Sequence, residues 1–131
     1  MSGMDLHLDP LSPVPLYQQL RDRVVEAIAA GRLRRGETLL PVRKLAVAFG
    51  VNPATMAKGY DLLRSEGLVA SSPKVGTFVV RDAGDPPTDP AFPASWTPRL
   101  HTLLAEARAQ GLDPAAIRRH CDAVLDDLVG M

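Results

Sequence analysis

Within four residues, Gly50-Val51-Asn52-Pro53, the chain can end one helix and begin another, and this stop-and-restart limits its fold more than any other feature. Glycine tolerates the left-handed conformation that closes a helix. Asparagine accepts hydrogen bonds from the first free N–H groups of the next one, and proline is preset for a first helical turn. The spacing predicts a short helix over 42–49 that buries Leu45, Ala46 and Phe49, stopped by Gly50. It predicts a second over 53–66 that buries Met56, Tyr60 and Leu63, with Gly59 allowing close approach and Gly67 as the C-cap. So short a connection holds the second helix steeply across the first, and its other face presents Ala54, Thr55 and Lys58.

The flanks complete this pair. Leu16, Leu20, Val24, Ala27 and Ile28 follow Pro15 at helical spacing, and Gly31 ends that helix. Residues 32–40 read as a turn into a short strand. Leu68-Val69-Ala70 and Gly76-Thr77-Phe78-Val79-Val80 read as a hairpin with its tip at 71–75. Residues 1–14 read as a mobile N-terminal arm. Pro86, Pro87, Pro90 and Pro93 mark 83–93 as a semi-rigid, extended linker. A two-helix tail over 94–131 follows. Trp96, Leu100, Leu103, Leu104 and Ala107 stripe its first helix, about 94–110. Its second is capped by Asp113-Pro114 and carries Ile117, Cys121, Val124, Leu125 and Leu128. The fold class expected is mainly α with a small β-hairpin: a helical domain over 15–82 with a hairpin wing, then an α-helical hairpin.

Charge then narrows the function. The formal net charge is zero, yet residues 1–82 hold 11 Lys/Arg against 8 Asp/Glu, and residues 83–131 hold 4 against 7. A nucleic-acid partner would prefer the first part. No run of about 18 uncharged apolar residues suggests a membrane span. The first residues lack the basic start and apolar core of a signal peptide. The single cysteine, Cys121, fits a reducing cytoplasm. His120-Cys121 is an unpromising metal pair, because adjacent helical residues diverge by about 100° and no second cluster exists, so a packed cysteine is expected. Paired carboxylates, a nucleophile–base set and a phosphate-cradling glycine loop are all missing, so neither catalytic residues nor a cofactor is expected.

Two short helices joined by a tight turn are the core of a helix-turn-helix, whose second helix can enter a major groove about 12 Å wide. A hairpin directly after it supplies a wing. The sequence resembles the GntR family of bacterial regulators in ordered blocks. These are Pro15-Leu16-Tyr17-Gln18-Gln19-Leu20, then Gly31-Arg32-Leu33-Arg34-Arg35-Gly36-Glu37-Thr38-Leu39, Val42-Arg43-Lys44-Leu45-Ala46 and Gly50-Val51-Asn52-Pro53-Ala54-Thr55-Met56-Ala57-Lys58. Glu66-Gly67-Leu68-Val69 and Val75-Gly76-Thr77-Phe78-Val79 resemble its wing strands. The short tail is similar to the YtrA subfamily, and the larger effector-binding domains of other subfamilies have no room here.

The resemblance implies a winged helix-turn-helix that binds a palindromic operator in double-stranded DNA as a homodimer, usually as a repressor in the cytoplasm. It implies DNA contacts at Arg43, early in its helix, at Asn52, Ala54, Thr55 and Lys58 in the reading helix, and at Lys74 and Gly76 in the wing. Two departures stand out. Leu39-Leu40-Pro41 replaces the family's Leu-Pro-Ser, which removes an N-cap worth about 0.5–2 kcal/mol. Ala54 stands where YtrA-like members often carry a polar residue.

Dimerisation is expected through Trp96, Leu100, Leu103, Leu104, Ile117, Val124, Leu125 and Leu128, although the pattern does not separate core from interface. Arg43, Lys58 and Lys74 could equally be solvated charges in an arbitrary helix or hairpin; the motif around them favours contacts. Tyr60 reads as core, while Tyr17 is open between packing under the wing and reaching a phosphate. No small-molecule effector is expected inside the tail, since a drug-sized pocket needs roughly 300–1,000 Å³ and two helices make one thin layer. The rival reading is a winged-helix module that binds protein or RNA.

Overall fold

Three apolar stripes meet in the first of two units, 1–84 and 85–131, into which the chain divides. The computed structural model describes residues 6–129; residues 1–5 of the expected arm and 130–131 of the tail lie outside it.

Helix α1, Leu16–Ala29, has Pro15 as its N-cap rather than its first helical residue. It buries Leu20, Val24, Ala27 and Ile28. Its end is a left-handed glycine cap. Gly31 takes φ +76°, which lets the Arg32 N–H reach back to the Ala27 carbonyl at 2.9 Å. Helix α2, Val42–Phe49, buries Leu45 and Ala46, whereas Phe49 is only half-buried. Helix α3, Pro53–Ser65, buries Met56, Gly59, Tyr60 and Leu63. Strands β1, Val69–Ser72, and β2, Gly76–Val79, form an antiparallel hairpin with Val69 opposite Val79 and Ser72 opposite Gly76. The expected short strand before α2 appears as one bridge, Thr38 to Phe78, flanked by three backbone bonds of 2.8 Å: Gly36 N–H to Val79, Leu39 N–H to Thr77 and Val79 N–H to Glu37. Leu33, Leu39, Val69 and Val79 close the core from this side.

The arm is anchored where the structure describes it, contrary to the expectation of mobility. Leu6 and Leu8 pack on the core. Gln19, a buried polar side chain on α1, explains the rest. Its Oε1 accepts the Asp9 N–H at 2.7 Å, and its Nε2 donates to the carbonyls of Asp9 at 2.9 Å and Val14 at 2.7 Å. A buried amide left unpaired would be costly, so this residue binds the arm to the helix.

The second unit holds α4, Phe92–Ala109, and α5, Pro114–Leu128. Helix α4 begins two residues before the expected 94, because Asp89 turns the chain first. Its Oδ1 accepts the Ala91 N–H and its carbonyl the Phe92 N–H, both at 2.9 Å. Helix α4 therefore takes in Phe92 and Pro93, which the expected linker over 83–93 includes. Pro98 lies inside α4, and the hydroxyls of Thr97 and Thr102 donate to carbonyls one turn back. Asp113 caps α5 through the Ala116 N–H at 2.8 Å, with Pro114 first in the helix.

Candidate nucleic-acid interface

The turn between α2 and α3 is built as its residues dictate. Gly50 adopts φ +65°, and the Val51 N–H reaches the Ala46 carbonyl at 3.0 Å. Asn52 Oδ1 accepts the Ala54 N–H at 2.8 Å. The carboxamide oxygen of this expected contact residue is thus committed to the cap.

Close packing fixes how α3 lies. A Cβ on Gly59 would stand 2.9 Å from the Tyr17 carbonyl oxygen and 3.0 Å from Leu20 Cδ2, so only glycine lets α1 and α3 approach this far. Tyr60 is buried and donates its hydroxyl to the Leu40 carbonyl at 2.6 Å, tying α3 to the chain two residues before α2. Burial pushes its phenol well above the ordinary tyrosine range. At the far end, Arg21 of α1 grips Glu66. Its Nε donates to Oε1 at 2.8 Å and its Nη2 to Oε2, while Nη1 donates to Asp22 at 3.0 Å. These bonds, that to Glu66 foremost, raise the Arg21 guanidinium pKa above its ordinary value.

The outward side carries the expected residues. Ala54 and Lys58 are exposed on α3, and Thr55 is half-buried. Lys58 Nζ sits 4.1 Å from the centre of the Tyr17 ring, a cation–π contact that answers where Tyr17 goes. Arg43 and Lys44 are exposed at the start of α2, whose N-cap, Pro41, offers no side-chain bond. The first-turn N–H groups there meet no capping side chain, as the loss of the family serine implies. Lys74 is exposed at the wing tip. Gly76 takes φ +77°, and a Cβ there would meet open space, so the immediate reason for glycine is backbone conformation. Among the described residues, no side-chain hydrogen bond or ion pair joins Arg43, Thr55, Lys58 and Lys74 to one another.

Two features escaped the sequence. Lys44 stands exposed beside Arg43. Arg64 bridges α3 to the wing: Nη1 donates to Ser71 Oγ at 2.8 Å and Nη2 to Asp61. The Asp61–Arg64 spacing announces a helical pair; nothing local announces Ser71. Among the described residues, no three His, Cys, Asp or Glu gather to hold a metal, and no helix is long and apolar enough to cross a membrane.

Residues 16–79 match the model of the family described as bacterial regulatory proteins, gntR family. The HTH-type transcriptional regulator Rv1152 of Mycobacterium tuberculosis is 35% identical over 93% of this chain and 95% of its own length. The chain belongs to the GntR family. The HTH-type transcriptional repressor YtrA of Bacillus subtilis is 32% identical over 60% of this chain and 60% of that protein. A solved transcriptional antiterminator from Listeria monocytogenes EGD-e superposes with TM-score 0.87 at 25% identity, over 99% of this chain and 96% of that one. This GntR-family chain is therefore a DNA-binding transcription regulator and not an enzyme, and the five helices and one two-stranded hairpin among its described residues have the winged architecture expected of it.

In the second unit the expected dimer residues separate into two sets. Leu100, Leu104, Ile117 and Leu128 are half-buried, as is Cys121. Trp96, Leu103, Val124 and Leu125 are exposed, Leu103 at 60%. An open depression of about 570 Å³ on α4 is bordered by Pro98, Arg99, Thr102 and Leu103.

Proposed function

We propose that this regulator represses transcription in the cytoplasm by binding a palindromic operator as a homodimer. The observation that carries the reading is the second unit. Its two helices bury no residue fully, yet they expose Trp96, Leu103, Val124 and Leu125. Large apolar side chains left in water favour association, and a second copy offers the same stripe. In this reading the half-buried set, Leu100, Leu104, Ile117 and Leu128, holds the hairpin together, and the exposed set meets the partner copy. A two-fold dimer calls for an inverted repeat, one half-site per reading helix.

At each half-site Thr55 and Lys58 face the major groove, with Ala54 contributing shape without a hydrogen bond. Asn52 serves chiefly as the cap that presents them. Arg43 contacts backbone or base from α2. Lys74 and the backbone near Gly76 form the wing contact. Repression follows the named activity of the Bacillus subtilis relative. No effector is assigned to the tail.

The test is sedimentation of the full chain with an inverted-repeat duplex, joined to a salt titration of Lys58→Ala. Two protomers per duplex are expected, with the salt slope lowered by about one if Lys58 meets a phosphate. One protomer per duplex would contradict the dimer, and an unchanged affinity at every salt concentration would remove Lys58. An RNA-binding module is the second reading, favoured by the antiterminator among the similar structures. Binding of single-stranded RNA in preference to the duplex would support it.

A further inference from the structure

A polar chain not used by these DNA contacts joins the last turn of α3 to the wing. Arg64 precedes the final residue of α3. Its Nη2 donates to the Asp61 carboxylate one turn earlier, and its Nη1 donates to Ser71 Oγ in β1 at 2.8 Å. Ser71 Oγ lies 2.9 Å from Thr77 Oγ1, its register partner in β2. The next pair toward the tip is Ser72 and Gly76, and Ser72 Oγ accepts the Val75 N–H at 3.2 Å. Hydrogen bonding thus runs from the reading helix to within one residue pair of the tip.

The chemistry of each group suits a fixed strut. Guanidinium is planar with a rigid fork of donors, so the carboxylate that holds one nitrogen also aims the other. A hydroxyl has one proton and two lone pairs, so Ser71 can accept from Arg64 while bonding to Thr77. The strut also has a firm base, because Arg21 holds Glu66 just beyond the helix end. The wing needs such support. A two-stranded hairpin is marginal alone, and this one has four-residue strands. The Thr38 bridge supports it from the β2 side, and Arg64 from the β1 side.

We infer that Arg64, acting through Ser71 and Thr77, is a positioning residue that sets the pitch of the wing against the reading helix before DNA arrives. The inference rests on the proposed DNA contacts of the helix and wing. Setting the pitch in advance reduces what must be ordered on binding, and its loss speeds dissociation more than it slows association.

The test uses the full chain and an operator duplex enriched by the protein from a random pool. Ser71→Ala and Thr77→Val leave every charge in place. Each is expected to weaken binding roughly three- to tenfold, mainly through faster dissociation, as coupled neighbours do. Salt slope and unfolding midpoint stay unchanged, while amide exchange at Val75 and Gly76 rises. Arg64→Gln should match this loss, and Arg64→Gln with Ser71→Ala should be no worse than Arg64→Gln alone. A lowered salt slope in Arg64→Gln, with Ser71→Ala binding like the parent, would make Arg64 a phosphate contact and overturn the inference. Parent-like binding by all three variants would overturn it too, while weakening by Lys58→Ala and Lys74→Ala would leave the DNA reading intact. If those two lysine variants also bind like the parent, the underlying DNA reading fails instead.

Discussion

At Gly59 one missing methyl group sets the distance between two helices. An alanine there would gain about 1 kcal/mol of helix propensity. It would also press a Cβ to 2.9 Å from the Tyr17 carbonyl, a backbone atom with no rotamer to escape into. Overpacking of this kind costs about 1–3 kcal/mol, so the clash offsets or outweighs the propensity. Gly59→Ala should lower stability by up to about 2 kcal/mol in urea unfolding, and a stabilised variant would show that α1 and α3 can part cheaply. Tyr60 makes a second test. Its phenol titrates higher in the folded chain than in the unfolded one, so the folded state keeps a proton that the unfolded state loses. That contribution is complete below the ordinary tyrosine value near 10 and is lost as pH rises beyond it. Tyr60→Phe should flatten the fall in stability between about pH 10 and 12 relative to the parent, at the cost of the bond to Leu40. Equal slopes in the two proteins would contradict the assignment. At this scale the caps were legible: Asn52-Pro53 and Asp113-Pro114 each signal a helix start in adjacent residues. Gln19 was not, because its partners lie in an arm that carries no regular pattern of its own.

At the scale of elements, sequence periodicity located the five helices of the described residues, and the errors fell where local hydrogen bonding competes with pattern. Helix α4 starts early because Asp89 nucleates a turn that apolar spacing does not reveal. The strand before α2 shrinks to a bridge because few of its residues pair with β2. The wing tip offers a prediction that separates conformation from contact. Valine is β-branched and resists φ +77°, so Gly76→Val would disturb the tip with or without DNA. Asparagine tolerates that region, and its side chain would enter open space in the free protein. Gly76→Asn should therefore still fold, with its stability lowered by about 1 kcal/mol for the left-handed backbone, yet bind operator more weakly if backbone must approach DNA there. Parent-like binding by a folded Gly76→Asn would leave the glycine a purely conformational role.

Across the whole molecule, the chain divides into two units between Gly84 and Asp85, within the proline-rich segment over 83–93 that the sequence reads as a linker. The use of the tail stripes was not legible, because helical spacing yields the same leucines for a hairpin core and for a dimer interface. In the proposed reading, exposure tells the two apart. Leu103→Glu with Val124→Glu, at positions 60% and 55% exposed, should leave helix content unchanged and convert the chain to a monomer by sedimentation. A dimer that survives both charges would place the interface elsewhere. The central claim is that this regulator reads an inverted repeat in duplex DNA as a symmetric pair. Selection of ligands by the full chain from random pools of double-stranded DNA and single-stranded RNA tests it most directly. The account predicts that the DNA pool converges on two half-sites in inverted orientation and that the RNA pool enriches nothing. Convergence of the RNA pool alone, or a DNA motif with a single unrepeated half-site, would contradict it.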